Sequence, residues 1–343
     1  MSPRSQENSP RTSDLSPVTH HPSLKLAVYW TGSCGGCDVS FLELGAALLD
    51  VLSKVEIVFW PALVDAKRAD VEALPAGAID VALINGTLRT EENREMAELL
   101  REKSKLIVAY GACAHLGGIP GLANLSQREE ILAAVFGDGF RPTPPPGGSP
   151  EDAPPELLAA ALPLSAAVRV DYVVPGCPPP PGLISRTFDA LLGELPPTGH
   201  VFASEKALCE ECPRTKEDRR LTKVVRPHEL LPDPEKCLLD QGMICLGPVT
   251  RGGCDAACPK AGMPCTGCLG PTPNAGDQGL AMLSALASLV RAGEEGEAAF
   301  ASEDKVLDAI VDPVGTFHKY ALPATWKVPS SLRGGGSGRG GRP

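Results

Sequence analysis

Trp30-Thr-Gly-Ser-Cys-Gly-Gly-Cys-Asp-Val-Ser-Phe-Leu-Glu-Leu44 decides how the rest of the chain is read. A β-like run, Leu24 to Trp30, feeds a glycine-rich turn carrying Cys34 and Cys37. An amphipathic segment follows, with Leu42, Ala46, Leu49 and Leu52 at helical spacing. Strand, turn and helix in that order place two thiols at the carboxyl end of a strand and near the positive end of a helix, where thiolates and anionic clusters are favoured. The glycines let backbone approach a bulky ligand. Taken alone, a Cys-x-x-Cys turn fits a redox dithiol, a zinc site or an iron-sulfur site equally.

Outward from this turn, strands alternate with helical patterns. Val55 to Trp60, Ile79 to Asn85, Lys105 to Tyr110 and Val168 to Val174 read as four further strands. Glu91 to Lys103 reads as a helix with Met96, Leu99 and Leu100 on one face. Nearly continuous apolar strands separated by helices imply a parallel sheet covered on both sides, a doubly wound, flavodoxin-like α/β domain. Cys113 then follows the fourth strand in Gly111-Ala112-Cys113, and Cys177 follows the fifth in Pro175-Gly176-Cys177-Pro178-Pro179. Open α/β sheets bind ligands outside the carboxyl ends of their strands, so all four thiols are expected to meet there. A lone dithiol leaves Cys113 and Cys177 without a role, whereas zinc or an iron-sulfur cluster uses both.

With 343 residues, 43% hydrophobic, the chain has material for one good core and a second small one. A net charge of −10 with 4% aromatics argues against nucleic acid as a partner. No apolar run is long enough to span a membrane. Residues 1–23 read as a disordered leader without the apolar core of a secretory signal, and a cytoplasmic location is expected. In that compartment 12 cysteines point to metal or redox chemistry, not structural disulfides. Residues 24–200 are assigned to the α/β domain. Within them Phe136 to Ala167 reads as a proline-rich surface insertion with one short helix, Pro155 to Ala161.

From about Val201 regular periodicity fades, and eight cysteines fall within 60 residues. Residues 201–292 therefore read as a small irregular domain held together by whatever its thiols bind. Sequence order divides them into Cys209, Cys212, Cys237, Cys245 and Cys254, Cys258, Cys265, Cys268, and this spacing suits zinc as well as iron-sulfur clusters. Asp277 to Val290 reads as a helix packed across the two domains. Residues 293–332 read as a C-terminal arm in which Asp304 to Trp326 forms a short helix and an extended piece with Phe317, Tyr320 and Trp326. Residues 333–343 read as a flexible Gly/Arg tail.

Over roughly Leu24 to Leu289 the chain resembles the small subunits of nickel-iron hydrogenases, most closely the methyl viologen reducing type that works beside heterodisulfide reductase. The motifs are Ser33-Cys34-Gly35-Gly36-Cys37, Gly111-Ala112-Cys113 with Gly117-Gly118-Ile119-Pro120-Gly121-Leu122, Pro175-Gly176-Cys177-Pro178-Pro179, Cys209-Glu210-Glu211-Cys212-Pro213-Arg214, and the run from Asp233 to Cys268. The resemblance implies an electron relay: a proximal four-iron four-sulfur cluster on Cys34, Cys37, Cys113 and Cys177, close to a nickel-iron centre in a separate large subunit. It implies a medial cluster on Cys254, Cys258, Cys265 and Cys268, and a distal one on Cys209, Cys212, Cys237 and Cys245. Periplasmic relatives tend to have a histidine at the first distal position and a three-iron medial cluster. Here those positions read Cys209 and a full set including Cys258, so three cubanes are expected.

On the same footing Glu43 is either part of a proton path at the subunit interface or a solvated carboxylate. His115 is a packing or supporting histidine, not a ligand. The implied partners are the hydrogenase large subunit and a downstream acceptor of heterodisulfide reductase-like, flavoprotein or ferredoxin type, in a hetero-oligomer. The cluster-bearing subunit of respiratory complex I shares the first domain, but it characteristically has adjacent cysteines and no second cysteine domain. Two alternatives stand beside the hydrogenase reading: an iron-sulfur relay subunit of a different oxidoreductase, and a zinc-stabilised scaffold.

Overall fold

A computed structural model describes residues 23–137, 155–217, 221, 223–289 and 308–325. Residues 1–22, most of the proline-rich insertion, Trp326 and the Gly/Arg tail lie outside them. Seven strands form: β1 Leu24–Trp30, β2 Val55–Phe59, β3 Ile79–Asn85, β4 Leu88–Thr90, β5 Ser104–Tyr110, β6 Leu157–Leu162 and β7 Tyr172–Val174. Five of them make one parallel sheet in the order β2-β1-β3-β5-β7. That is the flavodoxin-like order, with its switch point between β1 and β3.

Alternation along each strand builds two cores. Leu26, Val28, Val81, Leu83, Val108 and Tyr110 face one side, against Phe41, Leu183, Ile184 and Phe188. Ala27, Ala82, Ile84, Ile107 and Ala109 face the other, against Val71, Met96, Ala97 and Leu100. The Glu91–Lys103 helix starts where Thr90 and Asn93 cap one another reciprocally, each side chain accepting the other's backbone N–H at 3.2 Å. It turns Met96, Ala97 and Leu100 inward.

Four expectations need correction. The Leu42 to Leu52 segment is not one amphipathic helix: it breaks into Gly36–Ser40, a 3-10 turn Leu42–Leu44 and Ala47–Leu52, with Gly45 at φ 57° between the last two. Its buried side is carried by Phe41, Leu44, Leu48 and Val51, while Leu42 and Leu49 are 67% and 69% exposed. The stretch Pro155 to Ala161 is not helical but becomes β6, antiparallel to β4 with Leu88 opposite Leu162 and Thr90 opposite Leu157. Its Leu/Ala composition favours a helix, but pairing overrides it. Asn124 brackets Ala161 through both amide atoms at 2.8 and 2.9 Å, and Leu158 and Ala161 are buried.

The Gln278–Leu289 helix does not pack across the two halves of the chain. Met282 and Leu286 lie among Leu221, Leu239, Leu246, Val249, Ile310 and Phe317, all from the second half. Finally, the segment around Tyr320 is not extended; it folds as two short helices, Pro313–Phe317 and Leu322–Thr325.

Between Val201 and Asp277 the described chain forms only turns, isolated bridges and one four-residue helix, Ala257–Lys260. No helix among the described residues is long and apolar enough to cross a membrane.

Candidate metal centres

The first group of thiols sits at the carboxyl ends of the sheet strands, where the topology leaves a crevice. Cys34 and Cys37 follow β1, with Gly35 at φ 82° turning the chain into the helix that carries Cys37. Cys113 follows β5 and Cys177 follows β7. Their turns are tied together by the Gly111 N–H to the Val174 carbonyl at 2.7 Å and the Ala112 N–H to the Gly176 carbonyl at 2.6 Å. Cys37 and Cys113 are buried, Cys177 is half-buried and Cys34 is exposed. Burial first, then the neighbouring Cys113 and Cys177, push the Cys37 thiol up. Burial and Cys177 likewise raise Cys113, to about 12, against a backbone N–H from Ile119.

Two glycines here have no room for a side chain. A Cβ on Gly111 would stand 2.5 Å from the Cys37 sulfur, and one on Gly118 would stand 2.4 Å from the Cys113 sulfur. Asp38, beside Cys37, accepts the Trp60 indole N–H at 2.8 Å and the Asn85 amide at 2.9 Å, fixing the turn to the sheet. Ser40 donates to the Cys37 carbonyl at 2.6 Å and shares a hydrogen bond with the Tyr110 hydroxyl.

A second group comprises Cys254, Cys258, Cys265 and Cys268. Consecutive left-handed residues, Asp255 (φ 55°) and Ala256 (φ 49°), curl the backbone around Cys254, whose carbonyl accepts the Ala257 N–H at 3.3 Å. The Glu211 carboxylate holds this curl by accepting from Gly253 at 2.9 Å and Ala256 at 3.2 Å. Cys268 is pushed up to about 12 by burial and by Cys254, opposed by a hydrogen bond from the backbone N–H of Cys177. Cys265, the most buried of the four, is raised by burial and by Cys245.

Cys209, Cys212, Cys237 and Cys245 line a cavity of about 290 Å³ together with Leu208, Leu238 and Leu239. Burial, then Cys245 and Cys237, push the Cys209 thiol up to about 12. Arg214 pins the loops around the cavity, donating to the carbonyls of Pro259 (2.8 Å), Asp233 (2.5 Å) and Lys236 (3.0 Å). Gly247 lies against this group, where a Cβ would be 3.2 Å from the Cys209 sulfur. The Cys245 sulfur accepts the Cys265 backbone N–H at 3.3 Å.

The three groups are therefore neighbours in turn: Cys254 and Cys268 pack against the sheet core that holds Cys37, and the Cys265 N–H donates to the Cys245 sulfur at 3.3 Å. Among the described residues no three of His, Cys, Asp or Glu are gathered around the position of a single metal ion. The donor sets fit iron-sulfur clusters. Each offers four thiols in a mostly apolar setting that needs a positive inorganic core to take them as thiolates. Glycines stand where a side chain would fill the first and third cradles, and the Cys245 sulfur takes a backbone N–H.

Glu43 is exposed on the 3-10 turn after Cys37. The His115 ring packs against Gly270 of the second group's loop, with Nδ1 buried and without a hydrogen-bond partner among the described residues. Burial first, then Arg251, lower its pKa to about 4, so it is neutral. The sequence reading missed the cradling roles of Asp38, Glu211 and Arg214. Arg214 does stand in a quoted motif, but its three carbonyl partners are 19 to 45 residues away in sequence and leave no local pattern.

Comparison with known proteins sets these centres in context. Residues 34–191 match the family model described as NADH ubiquinone oxidoreductase, 20 Kd subunit, a span that starts at Cys34 and takes in Cys113 and Cys177. The iron-sulfur subunit of the F420-non-reducing hydrogenase of Archaeoglobus profundus is 39% identical over 321 residues, covering 88% of this chain and 97% of the relative. The corresponding vhu F420-non-reducing hydrogenase subunit of Methanocaldococcus jannaschii is 42% identical over 287 residues, covering 83% and 92%. A crystal structure of NAD+-reducing [NiFe]-hydrogenase in the H2-reduced state aligns over 51% of this chain and 94% of the other, at 33% identity and a TM-score of 0.43.

Proposed function

The chain belongs to the iron-sulfur subunits of the F420-non-reducing hydrogenases, and from that footing we propose that it carries electrons between a large subunit's nickel-iron centre and an outside acceptor. The observation that carries this reading is the succession of three thiol groups, the first and second sharing one core through Cys37, Cys254 and Cys268, and the second and third joined by the Cys265–Cys245 hydrogen bond. In our reading Cys34, Cys37, Cys113 and Cys177 hold the proximal cluster. Cys254, Cys258, Cys265 and Cys268 hold the medial one, and Cys209, Cys212, Cys237 and Cys245 the distal one, each cluster being of the four-iron four-sulfur kind. When bound, these groups supply one-electron redox chemistry.

The protein's own work is placement. It buries or half-buries nine of the twelve thiols, directs the Cys265 N–H at the Cys245 sulfur, and keeps Cys34, Cys209 and Cys258 at the surface. Hydrogen bonds to sulfur favour the reduced, more negative form of a cluster and so raise its potential. Trp30, Val39 and Leu42, all more than two-fifths exposed and flanking Cys34 in sequence, give a large subunit an apolar face. Glu43, exposed on the same turn, is assigned to proton exit at that interface. The exposed Cys209 edge faces the acceptor, a heterodisulfide reductase-like, flavoprotein or ferredoxin-type partner, in the cytoplasm.

Two substitutions test the order of the relay in the complex co-purified with its large subunit. Cys113→Ala should abolish hydrogen-dependent reduction of a viologen dye, because it removes a ligand at the entry. Cys209→Ala should leave hydrogen cleavage intact at the partner and chiefly slow transfer to the outside acceptor. Full hydrogen-dependent dye reduction by Cys113→Ala contradicts the assignment.

A further inference from the structure

The C-terminal segment 313–325 belongs to none of the quoted cysteine motifs, yet it lies across the junction between the first and second thiol groups. Its seat is built from glycines. A Cβ on Gly117 or Gly121 would stand 2.3 or 2.2 Å from the Pro323 Cγ, and one on Gly279 would stand 2.3 Å from the His318 ring. Its own Phe317, Ala321 and Leu322 are buried. Tyr320 touches both groups' loops at once. Its carbonyl accepts the Gly118 N–H at 3.0 Å, in the turn after Cys113, and its hydroxyl shares a 3.3 Å hydrogen bond with Thr266, between Cys265 and Cys268. Thus one short segment is bonded to both loops, the turn after Cys113 and the turn between Cys265 and Cys268.

We propose that residues 313–325 are a strap that sets the proximal-to-medial step of the relay, Tyr320 holding the two loops in register. This rests on the ligand sets given above. The step itself makes and breaks no bond: one electron leaves the group held by Cys177 and one arrives at the group held by Cys268. Hydrogen oxidation in the partner is the source, and the outside acceptor is the sink. Tyr320 is a positioning residue and touches no reacting atom as a ligand.

The test is a redox titration followed by electron paramagnetic resonance on the anaerobically purified complex, with the proximal signal identified by its loss in Cys113→Ala. Tyr320→Phe and Thr266→Val, which remove the two ends of the same hydrogen bond, should keep wild-type iron and sulfide content, leave the distal midpoint in place and change the magnetic interaction between the reduced proximal and medial signals. A wild-type interaction in both variants overturns the proposal with the ligand sets intact. A wild-type complex whose iron falls short of three clusters overturns the ligand sets first, so the two failures are told apart by the metal analysis.

Discussion

At the scale of single residues, the centres depend as much on what is missing as on what is present. Gly118 combines φ +59° with a Cβ position 2.4 Å from the Cys113 sulfur, so any side chain must displace a ligand. Gly137 is the natural control, because its φ of +92° carries a similar backbone strain with nothing within 4 Å. Gly118→Ala should lose about four irons and four sulfides per chain, one cluster's worth, while the far-ultraviolet circular dichroism stays native. Gly137→Ala should keep its iron and lose only about 1–2 kcal/mol of stability, the cost of a left-handed side-chain-bearing residue, read by denaturant titration. Equal iron in the two variants contradicts the cradle. The cysteines themselves were legible because each follows a strand or crowds with others. Gly118 was legible only as part of a motif, since what it avoids lies in the fold and not in the sequence next to it.

At the scale of elements, the short edge strand β7 is held by one buried carboxylate. Asp171, with no exposed surface, accepts the Ile107 N–H at 2.9 Å, Arg101 at 2.5 Å and Arg169 at 2.7 Å. Burial works to raise its pKa, but the Ile107 N–H and the two guanidinium groups outweigh it and hold the carboxyl below its ordinary value. Because the folded value is the lower one, the stabilisation is present above the unfolded carboxylate pKa of about 3.9 and is lost as pH falls through the folded value. Asp171→Ala should destabilise the chain by about 3 kcal/mol at pH 7, as removal of one member of a buried ion pair does. The gap to wild type should begin to narrow as pH falls below about 4 and go on narrowing toward about pH 2; a gap of constant size from about pH 7 to about pH 2 contradicts the latch.

The five parallel strands were readable because a sheet covered on both faces demands apolar runs. Leu157–Leu162 was not readable, since its Leu/Ala run suits a helix and its pairing with Leu88–Thr90 is non-local. The break at Gly45 was missed for a different reason. Apolar residues stand on both sides of Leu42 to Leu52, so periodicity alone chose the exposed Leu42 and Leu49 over the buried Phe41 and Val51-bearing side.

At the scale of the whole molecule, the flavodoxin-like sheet supplies one thiol group at its carboxyl edge, and the irregular second half supplies two more. Contact across the halves runs through Cys177 and Cys268, His115 against Gly270, and the 313–325 strap. Spacing alone left zinc open for the eight later cysteines, and the resemblance to hydrogenase small subunits was what ordered them into medial and distal sets. The Cys265–Cys245 hydrogen bond and the seat of the 313–325 segment were beyond either route, because both are made of contacts between segments far apart in the chain. Inorganic content separates an electron relay from a metal-stapled scaffold most directly. Iron, zinc and acid-labile sulfide should be measured in the anaerobically purified chain with its co-purifying large subunit. About twelve irons and twelve sulfides per chain are expected of three cubanes, whereas zinc at the second-half cysteines with no sulfide would contradict the relay.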